Sequence, residues 1–177
     1  MSLEIIPAVF EDKLILRNLL ELYQYDFSEF DASDVDEHGL FGYKYLDNYW
    51  AEPGRHAFLI RFAGRLAGFA LVREVADEVG VHHSMAEFFI MRKYRRRGIG
   101  RKVAAELFDH FPGTWRVHQE AANLPAQTFW RNTIAAYTND QFAYVEEDGW
   151  EGPIIEFEIT SNSSAMERII PIKKSEH

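Results

Sequence analysis

The spacing of apolar residues along the chain predicts three substantial helices. Residues 11–27 form the first, with two neighbouring apolar stripes: Ile15, Leu19 and Leu22, and Leu16, Leu20 and Tyr23. Residues 101–111 form the second, whose apolar side is Ile99, Val103, Leu107 and Phe111. The third begins at Asn123, a good N-cap residue followed by a proline in the first turn, and ends at Asn139-Asp140. A further short helix is expected within residues 43–50.

Shorter apolar runs between these helices predict strands at residues 3–9, 57–62, 66–75, 85–91, 114–119, 142–147 and 153–159. The Ala63-Gly64-Arg65 turn predicts a hairpin between the second and third of them. Residues 76–84 are polar and include His82-His83, so they predict a loop. Since these two histidines lack a third ligand at a telling spacing, a surface loop is favoured over a metal site, and no metal is expected.

The order of these elements predicts an α/β protein with a mixed, mostly antiparallel central sheet flanked by helices. A chain of 177 residues suits one domain, expected over residues 1–160, with a polar tail at 161–177.

Composition narrows the classes of partner. A net charge of −9 argues against nucleic acid and anionic membranes as partners. The chain has no cysteine, which excludes thiolate chemistry, and no apolar run long enough to span a bilayer. A cytoplasmic location is therefore expected.

Charge is unevenly placed along the chain. Residues 92–102 hold seven bases and no acid, whereas residues 21–37 hold seven acids and no base. The basic stretch joins a predicted strand to the start of a predicted helix and contains Gly98 and Gly100. Free N–H groups at a helix start, glycines and arginines together predict a phosphate or pyrophosphate site.

The segment Arg95-Arg96-Arg97-Gly98-Ile99-Gly100 resembles the Arg/Gln-x-x-Gly-x-Gly/Ala motif of the GNAT N-acetyltransferase superfamily. Glu87-Phe88-Phe89-Ile90 is similar to the family's fourth strand, and Asn123, Ala126 and Phe129-Trp130 are similar to its later helix. The resemblance covers roughly residues 57–147.

This resemblance implies acetyl transfer from acetyl-CoA, the co-substrate, to a primary amine, by direct attack in a ternary complex. It implies that the pyrophosphate lies on the turn from Arg97 to Arg101 and that the pantetheine arm pairs with the backbone near Ile90 and Arg92. The full set of residues expected to bind the cofactor is Ile90, Arg92, Arg95, Arg96, Arg97, Gly98, Gly100, Arg101, Asn123 and Trp130.

Two catalytic residues are expected. Glu87 should lie on the same strand face as Phe89, among apolar neighbours that raise its pKa, and act as base directly or through water. Trp130 occupies the position where the family often has a tyrosine acid, and an indole N–H is a poor acid. Tyr137, two turns later, is the substitute, with bulk water as the alternative.

The acceptor remains open: small polyamine, amino acid, antibiotic, peptide N-terminus or protein lysine. The acids of residues 21–37 would attract a cationic amine, unless they form a solvated loop. Tyr43, Tyr45, Tyr49 and Trp50 are either acceptor walls or core. A monomer or a homodimer is expected. The rival functions are a non-catalytic acyl-CoA-binding or regulatory module, and a protein without a CoA site whose basic turn binds another ligand.

Overall fold

The computed structural model describes residues 2–160, in which seven strands form one sheet. The strands are β1 (Leu3–Pro7), β2 (Arg55–Phe62), β3 (Arg65–Asp77), β4 (Gly80–Ile90), β5 (Gly113–His118), β6 (Ala143–Val145) and β7 (Ile154–Ile159). The helices are α1 (Lys13–Asp31), α2 (Asn48–Ala51), α3 (Ile99–His110) and α4 (Leu124–Thr138). Short 3₁₀ turns lie at Phe10–Asp12 and Arg92–Tyr94. The expected tail, residues 161–177, lies outside the described residues.

The strand order is β1-β2-β3-β4-β5-β7-β6, and β4–β5 is the one parallel pair in the described sheet. Hairpins join β2, β3 and β4, whereas α3 crosses over between the two parallel strands. The prediction of a mixed, mostly antiparallel sheet flanked by helices is confirmed.

Apolar side chains form a core on each face of the sheet. The larger core lies under α3 and α4 and includes Phe108, Trp115 and Ile134, all fully buried. The other lies under α1, where Leu16 and Leu20 pack on sheet residues such as Phe69. One stripe predicted for α1 is therefore correct, but Leu22 of the other is 51% exposed.

Residues 76–84 do not form the predicted loop. They are the tip of a long hairpin, with β3 reaching Asp77 and β4 starting at Gly80. His82 is buried beside Asp77, and the His83 ring packs against Trp115. The prediction of a loop from these polar residues was wrong, because a strand that no helix covers can carry polar side chains and still pair through its backbone.

The parallel pair β4–β5 separates along its length, and this opening positions the candidate site. The two strands pair only at His83 with Trp115 and at Ser84 with Arg116. Beyond Ser84, β4 continues for six residues without a paired partner on β5. Within residues 2–160, no helix is both long and apolar enough to cross a membrane.

Candidate active site

A β-bulge in β4 lies where the strands separate. Leu71 of β3 pairs with Glu87, but the next residue, Val72, pairs with Met85, so Ala86 is the extra residue. Such a bulge re-aims the side chains that follow it. Met85 packs in the larger core, whereas Glu87 and Phe89 both face α1 and so share one strand face, as predicted.

Glu87 is held by two phenol groups. The Tyr23 hydroxyl of α1 donates to Glu87 Oε2 at 2.6 Å, and the Tyr43 hydroxyl donates to Oε1 at 3.1 Å. Tyr23 also packs edge-to-face on Phe69 and Phe89, so its ring is anchored in the core. We call Tyr23, Tyr43 and Glu87 the Glu87 cluster.

The electrostatics of the Glu87 cluster favour a carboxyl that binds a proton readily. Burial raises the pKa of Glu87, and the hydrogen bonds from Tyr23 and Tyr43 only partly oppose that increase. Burial together with the nearby Glu87 charge also raises the pKa of both phenols, so they stay protonated as donors. A carboxylate with a raised pKa is a stronger base than an ordinary glutamate, so the arrangement suits a general base.

Two further charges influence the Glu87 cluster. Arg73 of β3 lowers the pKa of Glu87, and Glu120, just after β5, raises it. Glu120 follows the end of the strand that separates from β4, and its charge acts on Glu87 from there.

The edge of β4 that faces the opening has free backbone groups. The Met91 N–H bonds to the Ala67 carbonyl, so alternation along the strand turns the backbone of Phe88 and Ile90 away from β3 and toward the opening. The Ile90 carbonyl accepts from Arg95 Nε at 2.6 Å, while the Ile90 N–H faces the opening. This edge can pair with an extended ligand.

The basic loop, residues 95–101, leads into α3 as predicted. Gly98 is the N-cap residue and adopts a left-handed conformation at φ +73°, which a glycine takes without strain. The first intrahelical bond runs from the Lys102 N–H to the Gly98 carbonyl. The N–H groups of Ile99, Gly100 and Arg101 therefore lack intrahelical acceptors and are available to an anion.

Gly100 brings α3 close to two other elements. A Cβ there would lie 3.2 Å from the Phe129 ring of α4 and 3.6 Å from Ile90 of β4. The helix N-terminus is thus packed directly beside the open strand edge.

Arg92 follows β4 and is paired with α1. Arg92 lies in the 3₁₀ turn and its carbonyl accepts from the Arg95 N–H, so its backbone does not extend the β4 edge. Its guanidinium bonds Asp26 of α1 at 2.7 Å, and Arg95 bonds the other oxygen of the same carboxylate. Burial alone would raise the pKa of Asp26, but these two arginines lower it overall.

Other bases of this stretch lack such a partner. Arg96, Arg97 and Arg101 make no ion pair within residues 2–160 and are exposed to solvent. Arg96, with Arg92 and Arg95, lines an open cavity of about 380 Å³. The arginines predicted to bind phosphate thus divide into two that share the Asp26 carboxylate and three that make no ion pair within residues 2–160.

The residues predicted on α4 have structural roles. The Asn123 side chain accepts from the Ala126 N–H at 3.0 Å, which confirms it as the N-cap. Trp130 is buried in the larger core against Phe88, at a ring distance of 5.0 Å. Phe88 also stacks on Phe129, so both aromatic residues of α4 support the open part of β4.

Tyr137 is not brought to the Glu87 cluster. Its ring packs on Phe108 and its hydroxyl donates to Asp109, near the end of α3 opposite to Gly98. Twelve helical residues span about 18 Å. Along α4, two turns carry the side chain away from the opening, so this position does not favour Tyr137 as the acid.

Acids of residues 21–37 also bond to groups outside the Glu87 cluster. Asp26 pairs with arginines, Glu21 accepts from the Phe41 and Gly42 N–H groups, and Asp36 accepts from His38 and Leu40. None of these bonds reaches the Glu87 cluster, and the bonds of Glu21 and Asp36 order the segment between α1 and α2. In the described chain, no three metal-ligating side chains are grouped to hold a metal ion.

Comparison with known proteins identifies the fold family. The model of the acetyltransferase (GNAT) family matches residues 16–133, more than half of the chain. The chain belongs to the GNAT acetyltransferase family. The family expected from Arg95–Gly100 and its flanking segments is thereby confirmed, and with it acetyl-CoA-dependent N-acetyl transfer as the type of reaction.

Solved structures show the same GNAT fold at low identity. An acetyltransferase from Thermus thermophilus is 15% identical, with a TM-score of 0.68 over 90% of this chain and 98% of its own. PaiA N-acetyltransferase from Thermoplasma acidophilum, in complex with coenzyme A, is 16% identical, with a TM-score of 0.60 over 89% and 99%. Arabidopsis thaliana Naa50, in complex with the bisubstrate analogue CoA-Ac-MVNAL, is 13% identical, with a TM-score of 0.61 over 90% and 100%. No curated protein sequence matches significantly.

Sequence reasoning missed Tyr23 and Glu120 as parts of this GNAT site. Tyr23 lies on a helix stripe and was expected in the core, which is where its ring is. Its hydroxyl was the one sequence feature that indicated a polar contact, because a buried phenol usually has a hydrogen-bond partner. No sequence feature indicated Glu120, because its position relative to Glu87 depends on how β4 and β5 separate.

Proposed function

We propose that this protein acetylates a cationic primary amine by direct attack on acetyl-CoA in a ternary complex, with Glu87 as the base. The observation that carries the proposal is the position of Glu87. It is a partly buried carboxyl with a raised pKa at the opening between β4 and β5, beside an unpaired strand edge. A helix N-terminus with free N–H groups is packed against that edge through Gly100.

The donor groups present fit acetyl-CoA. The N–H groups of Ile99, Gly100 and Arg101, together with Arg97 and Arg101, would hold the pyrophosphate. The N–H of Ile90 and the backbone of Phe88 would pair with the amide groups of the pantetheine arm. Arg92 and Arg95, which both bond to Asp26, would position the loop rather than bind phosphate.

The role of Glu87 follows from the positive charge of the acceptor. An ammonium acceptor must lose a proton before its nitrogen can attack the thioester, and Glu87 with its raised pKa takes that proton. The Tyr23 and Tyr43 hydroxyls fix the orientation of the carboxylate and keep it ionised between turnovers. The thiolate is a fair leaving group near neutral pH and takes its proton from water, because Tyr137 lies elsewhere.

The charge around the opening supports a cationic acceptor. Glu87 lies there and Glu120 acts on it electrostatically, and both negative charges favour an ammonium group over a carboxylate or neutral amide. Naa50, a structural neighbour, binds an analogue that joins CoA to a peptide, so peptide amines belong in the acceptor panel beside diamines.

The test follows free thiol release from acetyl-CoA with a panel of cationic amines and peptides. Wild type should turn over at least one acceptor, and Glu87→Gln should lower kcat about 10²–10⁴-fold with little change in the Kd for CoA. Glu151→Gln, an exposed matched control, should behave as wild type.

The rival functions predict different results. Thermal stabilisation by CoA without turnover of any amine would favour a non-catalytic acyl-CoA-binding module. Absence of stabilisation by CoA would favour a protein without a CoA site. Full activity in Glu87→Gln would remove Glu87 as the base while leaving acetyl transfer in place.

A further inference from the structure

The open edge of β4 ends on a hydrogen-bond donor. Phe88 and Ile90 turn both their N–H and their carbonyl groups toward the opening, because the Met91 N–H bonds to the Ala67 carbonyl on the side of β3. Within residues 2–160, one of these four groups is bonded: the Ile90 carbonyl accepts from Arg95 Nε at 2.6 Å. The last open group of the edge is therefore the Ile90 N–H, without the carbonyl that a free strand would offer beside it.

Three contacts hold Arg95 on that carbonyl. Besides the bond from Nε to Ile90, its Nη2 donates to the Asp26 carboxylate of α1, and its guanidinium carbon lies 5.6 Å from the centre of the Phe89 ring. A guanidinium is a planar fork whose donors point in fixed directions, so it can serve two acceptors at once. Arg95 thus bridges α1 and the end of the open edge.

The Asp26 carboxylate is itself held in place. Its other oxygen accepts from Arg92 Nη2 at 2.7 Å and from Nε at 3.0 Å. Asp26 also lies three residues after Tyr23 on α1, and the Tyr23 hydroxyl bonds to Glu87 of β4 at 2.6 Å. Since α1 contacts β4 and its following turn at two points one helical turn apart, the group that fastens Arg95 is fixed relative to Glu87.

The bonded Ile90 carbonyl matters for any extended ligand on this edge. Backbone groups that face one side of a strand recur every second residue, so such a ligand can slip in steps of about 7 Å. A free carbonyl at Ile90 would offer one more acceptor to an amide of the pantetheine arm and would favour a slip toward the basic loop. That slip would carry the thioester away from Glu87.

We propose that Arg95, held by Asp26, sets the register of the acetyl donor by occupying the Ile90 carbonyl and leaving the Ile90 N–H as the last open group of the edge. Asp26 acts through Arg95 and is a positioning residue. The inference rests on the proposed function, in which acetyl-CoA lies along this edge. It gives Arg95 a role other than phosphate binding.

The first test is Arg95→Met, which frees the Ile90 carbonyl. A donor bound out of register occupies the site without reacting, so kcat and the KM for acetyl-CoA should fall by the same factor. We expect up to about tenfold, the share that one competing hydrogen bond can divert, with kcat/KM unchanged. Arg61→Met, on an arginine that bonds to the Gly64 carbonyl of another turn, is the matched control and should behave as wild type.

Other roles of Arg95 predict other kinetics. If Arg95 held a phosphate, its loss would raise the KM for acetyl-CoA and leave kcat unaltered. If it only supported the fold of the turn, kcat/KM would fall. Either result, or kinetics equal to those of wild type, would overturn the assignment of register to Arg95.

Asp26→Asn keeps the test valid if Arg95→Met fails to fold. It should lower kcat and KM together by no more than Arg95→Met does, and Asp26→Glu, which keeps the charge, should recover most of that loss. The double variant Asp26→Asn/Arg95→Met should equal Arg95→Met, because both changes act on one contact. A further loss in the double variant, or wild-type kinetics in Asp26→Asn, would overturn the role of Asp26. Absence of turnover by wild type would instead contradict the proposed function, and the register with it.

Discussion

At the residue scale, the properties of Glu87 come from opposing effects on one carboxyl. Burial raises its pKa, while two phenol donors and Arg73 lower it. The balance decides the pH at which the group can act as a base. Each donor is thus a separate means of adjusting the pH dependence of the enzyme.

Replacing Tyr23 by Phe removes the 2.6 Å hydrogen bond to Glu87 and keeps the ring contacts with Phe69 and Phe89. Because that bond stabilises the carboxylate, its loss raises the pKa of Glu87. We expect the acid limb of the kcat/KM profile to move up by about one to two pH units, since a bond to a charged group contributes about 1.5–3 kcal/mol.

Tyr25→Phe, on the 68% exposed neighbour, is the control for this measurement and should leave the profile unchanged. A shift of the acid limb to lower pH in Tyr23→Phe would contradict the assigned sign.

At the element scale, the arginines between β4 and α3 have two different roles, which the sequence alone does not distinguish. Arg92 and Arg95 fasten the end of β4 to α1 through Asp26, whereas Arg97 and Arg101 remain free at the start of α3. The sequence shows that the stretch contains seven bases. Which of these bases form ion pairs depends on which of them lie close to acids of α1.

Arg97→Gln should weaken CoA binding about tenfold, the value of one charge-assisted bond. Arg92→Gln should change the Kd by less than about twofold, because Asp26 already neutralises that guanidinium. Calorimetric titration with CoA measures both, and Arg61→Gln, on the far strand β2, controls for net charge. A larger loss at Arg92 than at Arg97 would contradict the division.

At the scale of the whole molecule, a buried carboxyl linked to catalysis should cost stability. The folded-state pKa of Glu87 is raised above the unfolded value. Below the unfolded pKa the group is protonated in both states. As the pH rises through the folded pKa, the folded protein must keep a buried carboxylate, and its free energy of unfolding decreases.

Glu87→Gln should therefore have a higher Tm than wild type above the raised pKa of Glu87, by a few degrees for each ~1 kcal/mol recovered. The advantage should shrink as the pH falls toward the ordinary glutamate range. Differential scanning calorimetry across pH measures it, with Glu151→Gln as the control. An advantage that grows as the pH falls would contradict the assigned pKa shift.

The sequence by itself determined the sheet class, the helix that starts at Asn123, and the basic glycine turn before α3, because these depend on local periodicity, capping and glycine conformation. It also indicated Glu87 as an acid on an apolar strand face. Only the tertiary structure decided its partners. Tyr23 and Tyr43 lie 64 and 44 residues from Glu87, and no local pattern records which buried hydroxyl meets which carboxylate. It also removed Tyr137 from the site and paired Arg92 with Asp26, since both depend on how helices pack on a sheet whose parallel strands separate after Ser84.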